Sequence, residues 1–490
     1  MLLFWFASSQ AQKSVDTLSL AKQLRSKGHY KQAAKVLGAY SVTHPKDVNT
    51  LWLYAQTEFW LGRMAKSKAI YVKAVALKPD NDYLQLDYAK TLANAGDWEQ
   101  AGAVIMRLQA AGKNYTDGEF VQAQIAYWKG DYRRAEKELD DVLWRDGLNK
   151  SAAQLLDDVL QARLPWLQIG AAYRHDTQPL DAIFPTVETG VFLNPYSSLH
   201  FGAYSPVFIL NGKVSTAPWL QAGNTAYISK IGLLVRVDIG ALKYANTDKY
   251  DWNGNIYLRE VAFKHFETEL QAEHKPYFNT ASSVDSTISV DHFMATLGWN
   301  DRRTVNGKVG FDFNYFPDQN YVYTAYVWAY APPIKLSVVE LRIGYNYSYS
   351  NSKQSRFEPQ QSLSQIIANY TEPVTGIYDP YFTPIQMQIH SAIVSLNIKP
   401  TKAIELGADA SIGFYAYAQN PYLYLNTGDV ISTGYSPVNF TPYTLSAFAS
   451  WHITKKMSLT AQYAYRKTFF YDSNYASLSY RISFENEKKK

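Results

Sequence analysis

A chain of 490 residues has room for two or three domains, and a mean hydropathy of -0.28 with 47% hydrophobic residues would pass for an ordinary soluble protein. The net charge of +5 is small and dispersed, which argues against nucleic acid as a partner, and the closing Lys488-Lys489-Lys490 reads as a solvated tail. No apolar run approaches the ~18 residues of a membrane-crossing helix; that excludes a helical inner-membrane protein and leaves a membrane barrel open, while the absence of cysteine fits an oxidising compartment reached without disulfides.

Residues 1–11 carry an apolar core followed by the small Ser9 and Ala11 at the two cleavage-site positions. This is the end of a secretory signal peptide with its basic front missing, or else a merely apolar N-terminus.

From residue 12 to 164 the chain reads as helical and repetitive. Gly28, Gly62, Gly96 and Gly130 stand 34 residues apart, with Ala21, Ala55, Ala89 and Ala123 seven before them and Ala33, Ser67, Ala101 and Ala135 five after. Each glycine opens a tight turn, and the small residues on either side let two helices approach. These residues resemble the tetratricopeptide repeat in about four copies, with Pro45 and Pro79 closing the first two and Lys113 and Gly147 replacing the proline in the others. Leu148 to Leu164 is expected as a terminal helix, ended by Pro165. The resemblance implies a periplasmic protein-binding scaffold that performs no chemistry, with Asn49, Trp52, Gln56, Gln85 and Gln122 as candidate groove residues.

From residue 165 to 484 the pattern changes to alternation. Ile404, Leu406, Ala408, Ala410, Ile412 and Phe414 alternate with Glu405, Gly407, Asp409, Ser411, Gly413 and Tyr415. Val339 to Asn346 and Leu459 to Arg466 repeat the split of one greasy and one polar face. About 16 such segments predict an antiparallel transmembrane β-barrel. Of 39 tyrosines only nine precede residue 165, as membrane-interface girdles require. Links at Asn194–Ser198, Ala331–Ile334, Lys399–Lys402 and Thr454–Lys456 are tight, whereas those at His175–Pro185, Asn351–Pro384 and Gln419–Pro442 are long. Short turns on one rim and long loops on the other place both barrel ends on the periplasmic side of a Gram-negative outer membrane. The last strand has the form of an outer-membrane barrel's closing segment, but the charged tail 485–490 follows it.

A repeat array running into such a barrel resembles the outer-membrane exporters of secreted polysaccharides, the cellulose synthase outer-membrane subunit and the poly-N-acetylglucosamine export porin. Tyr381-Phe382-Thr383-Pro384 resembles the Tyr-Phe-Ser-Pro stretch of the cellulose family, with Thr in place of Ser and Ile385 inserted before Gln386. The repeat array is far shorter than that family's. The resemblance implies passage of a polysaccharide, and synthase or cell-wall proteins as partners of the repeats.

Export of a glycan calls for a hydrated lumen with exchangeable hydrogen bonds and flat aromatic faces. Arg236, Asp238, Asp312, Glu340, Arg342, Glu405 and Asp409 fall on the inward register, with Tyr415, Tyr417 and Trp328 as aromatic additions; mixed lumenal charge is also what any porin carries. Asn351 to Pro384 reads as a gate over the pore or as an ordinary exposed loop. A catalytic barrel would need a nucleophile motif beside His265, His274, His292 or His390, and none is present, nor is a metal-ligand spacing or a phosphate-binding loop. The expectation is therefore a non-enzymatic pore without cofactor or metal, the alternative being a plugged barrel that anchors the repeats.

Overall fold

The computed structural model describes residues 17–484 apart from 113–114, 178–179, 195, 211, 229–230, 261–265, 301–304, 371 and 402. The signal segment 1–11, Lys113, His265 and the tail 485–490 lie outside the described residues. The chain divides into two compact units, Met1–Leu160 and Gln161–Lys490.

The first unit is helical: α1 (17–26), α2 (Tyr30–Thr43), α3 (Val48–Trp60), α4 (Met64–Leu77), α5 (Asp82–Asn94), α6 (Trp98–Ala110), α7 (Tyr115–Lys129), α8 (Tyr132–Arg145) and α9 (Lys150–Gln161). The four glycines at 34-residue spacing all adopt φ between +74° and +82°, the left-handed turn that a Cβ would penalise, and each joins the two helices of one repeat. The eight small residues seven before and five after them are buried without exception. The Ser67 hydroxyl donates a hydrogen bond to the Ala55 carbonyl at 2.7 Å, which shows how closely α3 and α4 approach. Asp47, Asn81 and Asp131 cap α3, α5 and α8 by accepting from free N–H groups of the first turn.

The second unit is a closed antiparallel barrel of 16 strands: β1 (Trp166–Asp176), β2 (Leu180–Asn194), β3 (Ser197–Tyr204), β4 (Trp219–Ile228), β5 (Leu233–Lys243), β6 (Tyr250–Glu260), β7 (Phe266–Pro276), β8 (Ser289–Asn300), β9 (Asn306–Tyr315), β10 (Tyr321–Tyr330), β11 (Val339–Ser352), β12 (Met387–Ile398), β13 (Ile404–Leu425), β14 (Tyr443–Thr454), β15 (Met457–Lys467) and β16 (Asp472–Ser483). Pairing of β1 with β16, from Trp166↔Ser483 to Asp176↔Ser473, closes the ring. Outside, the rings of Phe293, Phe311, Phe313, Tyr321, Tyr323 and Tyr349 follow one another at 5.4–6.5 Å near the long-loop rim. Phe266 and Trp299, edge to face at 4.7 Å, mark the opposite side of the apolar band. No described helix is long and apolar enough to cross a membrane; the strands do so.

One expected loop needs correction. The link at His175–Pro185 is short, because β2 begins at Leu180 and runs through Pro185. Proline is tolerated there because it sits beyond the end of β3, where its missing N–H would face no ladder partner; its carbonyl, on the same side, accepts from Ser205 outside the ladder. β3 ends at Tyr204, and a separate hairpin, Val207–Leu210 with Lys213–Thr216, pairs against the start of β2. Glu340 and Glu405 each stand one residue inside the start of a strand, β11 and β13, at the short-turn rim.

Leu84 in α5 is fully buried against Tyr71 and Ala74 of α4. Leu84→Ala is expected to lower the stability of the helical unit by about 2–5 kcal/mol. Loss of the 222 nm signal at lower denaturant, with the barrel's heat-dependent gel migration unchanged, checks it.

Candidate functional site: a lumen closed by loops

Register and exposure fix the two faces of the wall. Val237 and Ile239 are 45% and 65% exposed while Asp238 between them is 2% exposed, so Arg236 and Asp238 point inward. The same alternation turns Asp312, Trp328, Glu340, Arg342, Glu405 and Asp409 inward. Tyr415 and Tyr417 do not follow. A bulge between His390 and Ser391 of β12 shifts the pairing with β13 by one residue, so Phe414 and Tyr415 both lie outside, beside His390 and Tyr345, and Tyr417 continues outward. These two tyrosines belong to the membrane girdle, and the buried Ala416 and Ala418 take the inward positions.

The inner wall is asymmetric. From β2 to β9 it carries linked charges. Asp238 is bonded to His200, to Arg236 at 2.8 Å and to Asn255 at 3.0 Å. Glu269 accepts from Lys308 at 2.5 Å, Tyr257 at 2.8 Å and Thr296 at 2.9 Å. Glu267 holds Arg259 at 2.9 Å, Glu273 holds Lys275 at 2.6 Å, and His292 lies 3.2 Å from Asp312. From β14 to β16 the same face carries the hydroxyls of Thr444, Ser446, Ser450, Thr460, Ser477 and Ser479 among the longer side chains of Phe448, Gln462, Tyr475, Arg466 and Arg481. At the short-turn rim Arg342 and Lys335 pair with Glu340 at 2.7 and 3.3 Å, and Lys399 with Glu405 at 3.0 Å. There Trp166 lies flat over Gly190, where a Cβ would come within 2.5–2.9 Å of its ring, and Arg481 stacks on it at 4.2 Å.

Loops close the long-loop rim. Arg174, inward on β1, donates to the Phe278 carbonyl at 2.5 Å and to Asn279 at 3.0 Å in the link between β7 and β8, so that link crosses the lumen. Phe278 then packs with Phe208, Tyr244 and Leu242. The described residues of 353–386 form a second cover. Their Val374 and Ile366 pack on Leu423 of the extended β13, and their Phe382 reaches Phe470 between β15 and β16.

The Tyr381-Phe382-Thr383-Pro384 stretch makes these contacts. Tyr381, buried, stacks on Phe316 at 3.6 Å and donates to Asp318 at 2.6 Å. Phe382 stacks on Phe470 at 4.0 Å, the Thr383 hydroxyl accepts from the Arg356 N–H at 2.8 Å, and the Pro384 carbonyl accepts from Ser352 at 2.8 Å. Arg356 pairs with Asp318 at 2.5 Å, and the neighbouring Thr280 and Ser282 bond to Pro380 and Asp379. Burial works to raise the Asp318 pKa, but the Tyr381 phenol, the Asn320 N–H and Arg356 outweigh it and hold the carboxyl below its ordinary value. Burial and the Asp318 bond push the Tyr381 phenol up to about 12, so it remains a donor.

Asp318, Arg356, Phe470 and Arg174 were not singled out from sequence. A run of three aromatics, Phe469-Phe470-Tyr471, in so short a link was the available signal. The histidines have structural settings. His274 lies outside, stacked on Trp252 at 4.3 Å, His390 lies outside under the Tyr345 hydroxyl, and His292 belongs to the inner ion network. In the helical unit the groove candidates are mostly committed: Trp52 and Gln56 donate to Asp87 at 2.8 and 2.7 Å, and the buried Gln85 and Gln122 bond to Pro79 and Gln109. Asn49 is exposed.

No protein-family model matches the chain, and no curated protein matches it. Among solved structures, a bacterial polysaccharide outer membrane secretin aligns with 66% of this chain and 99% of its own at 10% identity and TM-score 0.48. A loop L8 deletion mutant of OmpT, an outer membrane protein of Vibrio cholerae, aligns with 65% of this chain and 98% of its own at 9% identity and TM-score 0.32. A tetratricopeptide repeat protein from Parabacteroides merdae aligns with 30% of this chain and 59% of its own at 14% identity and TM-score 0.28. At such scores none of these likenesses bears on function.

A carboxyl whose pKa is depressed in the closed state stabilises that state fully above its ordinary value of about 4, and that contribution is lost as pH falls through the depressed value. Opening events in single-channel recordings are therefore expected to increase as pH drops below about 4. Asp318→Asn should show those events at neutral pH and lose most of the dependence.

Proposed function

We propose that this chain is an outer-membrane conduit for a secreted polysaccharide, closed at its outer mouth by its own loops, with the repeats on the periplasmic side recruiting synthesis or cell-wall proteins. The observation that carries the reading is the lumen itself: a 16-stranded barrel whose polar wall offers hydroxyls and paired charges, under a cover held by side-chain contacts. Such contacts are individually weak and can be exchanged. Because β1 begins and β16 ends on the short-turn rim, both chain ends of the barrel leave on the periplasmic side by the usual construction of such barrels. The paired tyrosine and phenylalanine at 381 and 382, first noted as a likeness to the cellulose exporters, take the part of the latch. The reading assigns transport and no reaction.

The interlocked cover favours a second reading, in which the barrel stays shut and only anchors the repeats. Planar-bilayer recordings separate the two. The intact chain is expected to be largely silent, and a variant with residues 353–384 replaced by a short glycine-serine link to conduct in a manner blocked by oligosaccharides. A shortened variant that stays silent would leave the anchor.

A further inference from the structure

Beneath the loops lies a cavity of about 690 Å³, within the range of roughly 300–1,000 Å³ typical of small-ligand sites. Its wall comes from β1, β2, β4, β6 to β10, β15 and β16, and its roof from the link between β7 and β8 and from Phe382 of the second cover. The lining has a particular composition. Gln221, Asn253, Asn279 and Asn314 bring side-chain amides, and Phe184 and Trp219 bring apolar faces. Amides combined with flat rings are how hydroxyl-bearing rings are held, the amide serving as donor and acceptor at once.

The charges of the chamber are mostly engaged elsewhere. Lys275 is paired with Glu273, His292 with Asp312, and Arg174 donates to the loop carbonyl of Phe278 and to Asn279. Arg466 is the exception, having no ion pair among the described residues. Three polar atoms of the lining, Asn253 Oδ1, Arg174 Nε and His292 Nδ1, have no hydrogen-bond partner among the described residues, but they are sealed under neighbouring atoms, Asn253 Oδ1 against Gly240. Asn314, half-buried on the inner face of β9, presents its amide to the chamber.

We propose that this chamber is a binding site for a short stretch of uncharged, hydroxyl-rich glycan, held under the closed loops with the Asn314 amide as an anchoring group and Trp219 as a stacking face. The inference rests on the export reading and narrows its substrate to a neutral polymer. It assigns the chamber a standing occupancy: a chain that has entered from the periplasmic side is gripped before the cover opens.

Equilibrium binding to the purified full chain with its loops intact tests it, with a neutral β-glucan tetrasaccharide, an N-acetylated hexosamine tetrasaccharide and a hexuronate tetrasaccharide as probes, read by saturation-transfer NMR. One or both neutral probes are expected to bind and the uronate to bind at least tenfold more weakly. Asn314→Leu and Trp219→Leu are each expected to weaken binding about tenfold. Heat-dependent gel migration shows whether each variant is folded, and Gln221→Leu provides a third lesion should one of them fail to assemble. Preferential binding of the uronate that Arg466→Gln removes would overturn the neutral assignment and leave export standing. No binding of any probe, or binding that all three folded variants retain, would overturn the chamber, while oligosaccharide block of the loop-shortened pore would still support export. Absence of both would remove the export reading as well.

Discussion

Inside a bilayer no water is available to a free N–H or C=O, and an unpaired backbone edge costs several kcal/mol per group. The seam between β1 and β16 meets that constraint, and the rest of the second unit follows from it. A closed ring has an inside and an outside, each strand must put alternate residues on each, and the polar half of every strand has only the lumen to occupy. The linked charges on β2 to β9 are what a crowded polar interior does with ionisable groups. They are bonded to one another, so few buried charges are left alone.

The repeats answer a different constraint. A helix pair cannot bury its apolar face by itself, and stacking at a fixed period supplies the missing surface. The four left-handed glycines and the eight buried small residues are the minimum that such stacking demands: a turn that only glycine adopts freely, and contacts where a larger side chain would force the helices apart.

Much of this was readable in advance because both patterns are local. The 34-residue spacing names the turns directly, and alternation assigned Arg236, Asp238, Asp312 and Asp409 to one face. It failed at Tyr415 and Tyr417 because one extra residue at a bulge reverses every later assignment, and nothing near His390-Ser391 announces it. Pro185 misled for a related reason: a strand tolerates proline where its neighbour has already ended, which depends on the length of another strand. The cover could not be read at all. Its contacts join residues about 100 apart, such as Arg174 to Phe278 and Thr280 to Pro380, and a loop's own sequence does not disclose what it folds onto.

The uneven wall has a mechanical side. Cross-linked long side chains fill the β2 to β9 sector and stiffen it, while on β14 to β16 the hydroxyls of serine and threonine stand between longer side chains such as Phe448 and Gln462. An ion pair holds its donors and acceptors in one arrangement, whereas a hydroxyl turns about its own bond and serves as donor or acceptor on demand. One sector of the wall therefore carries a fixed pattern of charge and the other an adjustable pattern of hydrogen bonds.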